Sequence, residues 1–253
     1  MTETEMLQQA ETGICTQTFN GPSIRKPANA FNCPDCNNTG YIEKHYPDGQ
    51  SYMQECKCRQ LRKHLRMLDR SGLREMIKLY RLDNWQTLAD WQQTAKRLAM
   101  NYIANPNGWF VAVGAKGSGK THLCTAVASE LLDKGHDTLY VLWRNFAPRA
   151  KAAINSLELY DGIVTPLKEV SVLYIDDLFK TGKGEQPTVA DVNLVFEVLN
   201  ERYLDPTKST IISTEFNFSE LLNIDEAVGS RIYERSKGYR LDFSNKPNWR
   251  LRE

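Results

Sequence analysis

The chain has 253 residues, 41% of them hydrophobic, enough for one sizeable core and a small appendage. Lys and Arg (32) balance Asp and Glu (31), so overall charge points neither toward nor away from nucleic acid, and only local clusters can carry that argument. No apolar run approaches the ~18 residues of a bilayer span, and the polar start Met1–Ala10 lacks the basic and apolar regions of a signal peptide. The expectation is a soluble, cytoplasmic protein with no membrane partner.

Residues 1–30 are rich in Gly, Pro, Asn, Thr and Gln without periodicity and read as a flexible leader. Residues 31–60 hold four of the six cysteines, Cys33-Pro-Asp-Cys36 and Cys56-Lys-Cys58, separated by nineteen residues. Two such knuckles can converge on one tetrahedral ion, so a structural Cys₄ zinc-ribbon-like module is expected, although the second pair is C-x-C where a ribbon has C-x₂-C. Tyr41-Ile42 and Tyr52-Met53 would pair as a hairpin around Asp48-Gly49. His45 and His64 are spare candidate ligands that four cysteines make unnecessary. Free or redox-active thiols are the alternative. Cys15 and Cys124 read as unrelated.

Residues 61–105 form a helical linker in this reading. Leu61, Leu65 and Leu68 share a helix face before the breaker Ser71-Gly72, and Asp90 to Ile103 is a second helix with Trp91, Ala95, Leu98 and Tyr102 on one side. Arg59, Arg62, Lys63, Arg66, Arg70 and Arg74 make the first of these basic, which suits DNA, an acidic partner or simply solvent.

After Asn105-Pro106-Asn107-Gly108, residues 106–253 alternate strand-like and helical runs. Strands are expected at Trp109 to Val113, Thr138 to Trp143, Ser171 to Ile175 and Thr210 to Ser213. Helices are expected at Lys120 to Lys134, Phe146 to Leu159 and Val189 to Leu204. This pattern predicts an α/β domain with a parallel sheet covered on both faces.

The chemistry concentrates at the strand ends. Gly114-Ala115-Lys116-Gly117-Ser118-Gly119-Lys120-Thr121 fits G-x-x-x-x-G-K-[ST] between a strand and a helix, with His122 next. Backbone N–H groups and the helix dipole would cradle the phosphates of ATP. Lys120 would reach the β- and γ-phosphates and Thr121 would ligate Mg²⁺. Val172-Leu-Tyr-Ile175 runs into Asp176-Asp177, where Asp176 can hold the Mg²⁺ shell and Asp177 can orient or deprotonate water; Asp177 is also a plausible cap for the next helix. Ser209 to Thr214 is a strand ending in hydroxyls, a place for a γ-phosphate sensor or a plain core strand. Arg231 and Arg235 lie one helical turn apart, facing either a phosphate of a neighbouring subunit or solvent.

In this order, the phosphate loop, Ile175-Asp176-Asp177, Ile211-Ile-Ser-Thr214 and Ser230-Arg-Ile-Tyr-Glu-Arg235 resemble the AAA+ ATPases of the DnaC/DnaI helicase-loader group. With the cysteine module and Ser71-Gly-Leu73, Asn84-Trp85 and Trp91, the chain is similar to the variants of phages, prophages and low-GC Gram-positive bacteria. The resemblance implies a P-loop AAA+ core with a reduced or absent lid. It also implies an ATPase that loads a hexameric replicative helicase onto single-stranded DNA, self-association through the arginine finger Arg231 (Arg235 as second choice), and sensing by Thr214. One departure stands out: Glu215 occupies the place where the family's sensor strand carries Asn, with Asn217 two residues on. A carboxylate there would repel the γ-phosphate, leaving sensing to Thr214 or Asn217, or else slowing hydrolysis. A transposition-helper ATPase of the IstB type and a nucleotide-gated adaptor that hydrolyses little are the competing readings.

Overall fold

The structure is a computed structural model that describes residues 33–37, 39–46, 49–56, 58–59, 71–182 and 185–251. The chain divides into two compact units, Met1–Lys63 and His64–Glu253. The expected leader, the Leu61/Leu65/Leu68 helix, Cys15, His64 and the basic positions 62, 63, 66 and 70 lie outside the described residues.

In the first unit, β1 (Tyr41–His45) and β2 (Ser51–Glu55) pair antiparallel, with Tyr41 opposite Glu55 and His45 opposite Ser51. The expected hairpin therefore forms. Its side chains are exposed apart from a half-buried Ile42. Among its described residues, the side chains the unit buries are those of Cys33, Cys36, Cys56 and Cys58.

The second unit is a five-stranded, all-parallel sheet in the order β4 (Thr138–Leu142), β5 (Val172–Asp176), β6 (Ser209–Ser213), β3 (Trp109–Val113), β7 (Arg240–Asp242). Every residue of β3, β5 and β6 is buried, as expected of strands with both faces covered. Alternation along β3 splits the core in two. Trp109, Val111 and Val113 join Leu173, Ile175 and Ile212 on one face, while Phe110 and Ala112 join Val172, Tyr174 and Ile211 on the other.

Among the described residues, a short α1 (Met76–Leu79), α2 (Asp90–Ala104) and α3 (Lys120–Asp133) supply the second face. The first face is supplied by α4 (Trp143–Ala152), α5 (Leu157–Glu169), α6 (Val189–Leu204), α7 (Phe218–Ile224) and α8 (Glu226–Arg235). Thr188 caps α6 and exchanges hydrogen bonds with Asp191, which also pairs with Lys151 at 2.8 Å.

Three sequence expectations shift. The single helix over Phe146 to Leu159 is two helices: α4 starts at Trp143, directly after β4, and stops at Ala152, and Ser156, a residue favoured at N-caps, precedes α5. The inner face of α2 is rotated, burying Gln92, Ala95, Ala99, Tyr102 and Ile103 and leaving Trp91 and Leu98 half-exposed. The rotation follows from Gln92, whose side chain accepts from the Ala89 N–H while its carbonyl takes the Trp85 indole N–H. The third addition is the edge strand β7, three residues long.

The connections decide where a ligand can sit. The chain leaves β3 through α3 over one face and leaves β6 through α7 and α8 over the other, although β3 and β6 are neighbours. Their carboxyl ends therefore open a crevice at a topological switch point.

Candidate functional site

The phosphate loop occupies that crevice. Gly114 N–H donates to Thr214 O (3.1 Å), tying the start of the loop to the end of β6. Gly114 has φ +107° and Gly117 φ +72°, conformations that suit glycine. A side chain on Gly114 would run into Phe243 and Ser244, and one on Gly117 into Asn248. The segment after β7 thus crosses the loop, and Trp249 N–H donates to Gly117 O at 2.9 Å while Ala115 N–H donates to Phe243 O at 3.3 Å. Gly119 is the N-cap of α3, so the positive end of that helix faces the loop.

Lys120 is buried and donates to Gly114 O (2.8 Å) and Ala115 O (2.7 Å). Burial lowers its pKa below the usual lysine value, with Glu215 and Asp177 acting in the opposite direction. Ser118 Oγ donates to Ala115 O and closes the turn.

Thr121 Oγ1 donates to Asp176 Oδ1 at 3.0 Å, bringing the two expected Mg²⁺ ligands together from positions 55 residues apart. Asp176 also accepts from Tyr174 (2.9 Å), Ser213 and, at 3.4 Å, Tyr140. Burial raises its carboxyl pKa, the Asp177 charge adds to this, and the Ser213, Tyr174 and Thr121 hydroxyls oppose it. A buried carboxylate with a hydroxyl beside it is an oxygen donor set suited to a hard cation such as Mg²⁺.

Asp177 does not cap a helix, since Thr188 caps α6. It sits at φ +55°, its N–H donates to Ser213 Oγ (3.0 Å) and its carboxylate pairs with Lys180 at 2.8 Å. Glu215 is not a bare charge. Lys180 (2.9 Å) and Lys116 (3.2 Å) both pair with it, and these cations hold its carboxyl below the usual range against the effect of burial.

The expected sensors fare differently. Thr214 is fully buried, its hydroxyl donating to Leu178 O (2.9 Å) and accepting from Phe216 N–H (3.2 Å). Its side chain braces the loop behind Asp177 and is not among the groups lining the cleft. Asn217 caps α7 by accepting from Glu220 N–H at 2.9 Å. Arg231 lies on α8 against α6, donating to Asn200 Oδ1 (3.2 Å) and Ala227 O (2.8 Å), with its guanidinium 5.0 Å from the Phe196 ring centroid. It does not reach the cleft of its own chain. Arg235 has its Nε and one Nη buried without a hydrogen-bond partner.

The cleft, about 310 Å³, is lined by Lys116, Gly117, Gly119, Lys120, Thr121, His122, Asp177 and Glu215. Tyr80, Lys180, Trp249 and Arg250 complete it, and the sequence reading had singled out none of these. His122 Nε2 lies 3.0 Å from Arg81 O, its ring 5.3 Å from Tyr80 and 5.3 Å from Trp85, and burial lowers its pKa. Lys180 was legible only as a cation three residues after the acidic pair. Trp249 and Arg250 arrive through an edge strand that no periodicity announces.

In the first unit the four thiols form one cluster, all Sγ atoms within 4.8 Å of one another. Cys33–Cys56 and Cys36–Cys58 are 3.7 and 3.4 Å apart. Zinc–sulfur bonds of about 2.3 Å place tetrahedral sulfurs roughly 3.8 Å apart, so the set fits a metal. Burial works against ionisation of Cys36, yet the Gly40 N–H and the neighbouring thiols bring it to about 6; burial and the other cysteines push Cys58 up to about 12. His45 is exposed on the hairpin. Cys124 is buried on α3 and packs as a small apolar residue. Among the described residues, no helix is long and apolar enough to cross a membrane.

The family model described as IstB-like ATP binding protein matches residues 49–235. The uncharacterized protein YqaM of Bacillus subtilis (strain 168) is 33% identical over 201 residues, 75% of this chain; the chain spans only 63% of that protein's length. The phage-like element PBSX protein XkdC of the same organism is 30% identical over 226 residues, 84% of this chain and 82% of that one. The replicative helicase loader DnaC of Escherichia coli (strain K12) is 24% identical over 176 residues, covering 68% of this chain and 69% of its own. The crystal structure of the DnaC helicase loader overlays 64% of this chain and 95% of its own with a TM-score of 0.55 at 23% identity, which establishes a shared AAA+ fold. Among the described residues, β7 and a 3₁₀ turn (Trp249–Leu251) follow α8.

Proposed function

From its place in the IstB-like ATP-binding family, to which the chain belongs, we propose that this protein hydrolyses ATP with Mg²⁺ and uses that cycle to load a hexameric replicative helicase onto single-stranded DNA. The observation that carries the nucleotide chemistry is the meeting of Thr121 with Asp176 beside Lys120 at the β3/β6 crevice, with Asp177 one residue further on. In this reading Gly114 to Thr121 bind the phosphates, Thr121 and Asp176 share the metal, and Asp177 orients the attacking water. Arg231 serves a neighbouring copy, since it does not line its own cleft. Thr214 acts by bracing the acidic loop, because its hydroxyl is committed to Leu178. The pairing of Glu215 with two lysines removes the main reason to expect a site without turnover.

The loader assignment draws on the likeness to DnaC, and the phage setting on XkdC. The transposition-helper reading has the IstB-like family model in its favour, and the likeness to DnaC and XkdC favours the loader. We assign the four cysteines to a structural zinc ion and residues 31–60, 61–105 and 106–253 to a zinc module, a linker and the ATPase domain.

Two experiments test this. Asp177→Asn should lower ATP turnover by about 10²-fold or more, with nucleotide binding retained; equal rates would remove Asp177 from catalysis. Full-length protein should capture the replicative helicase of its host in an ATP-dependent manner, and failure to do so with or without ATP would overturn the loader reading. ATP-dependent capture of a transposase instead would favour the helper.

A further inference from the structure

Lys180 has no role in the nucleotide chemistry described so far, yet it stands at its centre. Its Nζ lies 2.8 Å from Asp177 Oδ2 and 2.9 Å from Glu215 Oε1, and it lines the cleft with Lys120 and Thr121. We propose that Lys180 is the cation by which this site tells a nucleoside triphosphate from a diphosphate, with Glu215 as the residue that positions it. The inference rests on the nucleotide-binding reading of the cleft.

Charge supplies the first argument. Asp177 and Glu215 both line the cleft, and left alone they would repel an incoming terminal phosphate. Lys180 answers both carboxylates with one ammonium. Its side chain is 30% exposed against 72% for Lys116, the other lysine on Glu215, so Lys180 is the less screened of the two. Burial disfavours its charge, but Asp177 and Glu215 outweigh burial and hold its pKa above the ordinary lysine value. An ammonium has three donors, so two carboxylates leave one for a phosphate oxygen.

Backbone geometry supplies the second. Asp177 at φ +55° and Phe179 at φ +64° are both non-glycine residues in the left-handed region. Such residues persist only where their surroundings over-determine them, and they cluster at ligand clamps and switches. Here the end of β6 does so. Ser213 O accepts from Leu178 N–H (2.9 Å), Ser213 Oγ accepts from Asp177 N–H (3.0 Å), and Thr214 Oγ1 donates to Leu178 O (2.9 Å). Leu178 and Phe179 are fully buried. The wound turn returns Lys180, whose N–H donates to Asp177 O at 2.9 Å, to the acidic pair it follows. One frame therefore holds the hydrolytic carboxylate and the discriminating cation in fixed relation.

The test is equilibrium binding of ADP and the non-hydrolysable triphosphate AMPPCP, each with Mg²⁺, to the full chain by calorimetry. Wild type should prefer the triphosphate. Lys180→Met should lose roughly tenfold of that preference, the scale of one charge-assisted hydrogen bond in a half-open site. Its ADP affinity should change by less than about twofold, and Lys180→Arg should restore most of the preference. In turnover, Lys180→Met should raise KM for ATP about as much as it weakens AMPPCP. Lys120→Ala is the contrast: it should weaken both nucleotides.

Equal loss of ADP and AMPPCP in Lys180→Met, or an unchanged preference, would overturn the proposal. So would a wild type that binds both nucleotides equally, an outcome that leaves nucleotide binding itself intact. A wild type that binds neither would instead bring down the nucleotide reading and this inference with it. If Lys180→Met does not fold, Glu215→Gln decides. Glu215→Gln removes a repulsive carboxylate along with the second anchor of Lys180, so a positioning role requires the triphosphate preference to fall despite the lost repulsion; a preference held or increased counts against the proposal.

Discussion

All five side chains of β2 are exposed, whereas β3, β5 and β6 bury all of theirs. Among its described residues the hairpin unit shows no apolar sandwich, and its buried cluster is four cysteines with Ile42 packed against them. The sheet unit has two large apolar clusters, one on each face of the same strands. The difference teaches how each unit meets the cost of ordering its chain. A module of some thirty residues cannot bury enough surface to do so, and a metal held by the four thiols, as proposed above, would supply what is missing. The α/β unit meets it by burial, at roughly 25 cal/mol per Å² of apolar surface.

The sharpest way to break that comparison is to remove the metal. Chelation, or Cys56→Ser, should unfold the hairpin outright, since structural zinc contributes on the order of 10 kcal/mol or more in small metal modules. Amide exchange of residues 41–55 should then become fast while that of β3, β5 and β6 stays slow. Hairpin protection that survives chelation would show that the cysteines are not its support.

The converse perturbation is Arg202→Met. Arg202 is fully buried without a carboxylate partner and donates to Thr210 Oγ1 and to the carbonyls of Leu167, Val170, Ser171 and Ser209, tying α6 to the ends of α5, β5 and β6. Burial lowers its pKa to about 10, so it stays charged at neutral pH. Removing it strands several carbonyls and should cost the sheet unit about 3–5 kcal/mol. Urea unfolding should move accordingly, with the zinc content unchanged.

How much of this was legible in the sequence follows the same division. The cysteine spacing reported the four-thiol cluster, and the G-x-x-x-x-G-K-[ST] loop and the Asp176-Asp177 strand end reported the crevice, because each motif is a run of residues close in sequence. Lys180, Trp249 and Arg250 were missed because their place depends on a left-handed turn and an edge strand, neither of which leaves a period. Sensing by Thr214 is what the family resemblance implies once Glu215 stands where Asn is usual. The Thr214 hydroxyl instead satisfies a buried carbonyl, a demand visible only once Leu178 is placed. The α4/α5 break was hidden because Ala153 to Ser156 keeps enough helical character to read through.

A smaller effect sharpens the link between burial and function inside the sheet unit. The folded-state pKa of Asp176 is raised, so its contribution to stability is fully present below the unfolded carboxylate pKa and is lost as pH rises through the folded value. At neutral pH its ionised form therefore costs the fold stability. Asp176→Asn keeps oxygen and hydrogen-bonding capacity without the charge and should raise Tm modestly at pH 7, an advantage that fades on acidification, while Mg²⁺-dependent nucleotide binding is lost. A Tm that falls at pH 7 would show that the four hydroxyls around Asp176 depend on the charge.

Trp249 donates its backbone N–H to Gly117 and its residue lines the nucleotide cleft, far in sequence from the other four indoles at 85, 91, 109 and 143. The chain thus carries its own optical probe against the loop that does the binding. Trp249→Phe should remove most of the fluorescence change seen on nucleotide addition, leaving only what Trp85 contributes from its packing on His122, and so give a label-free readout of occupancy.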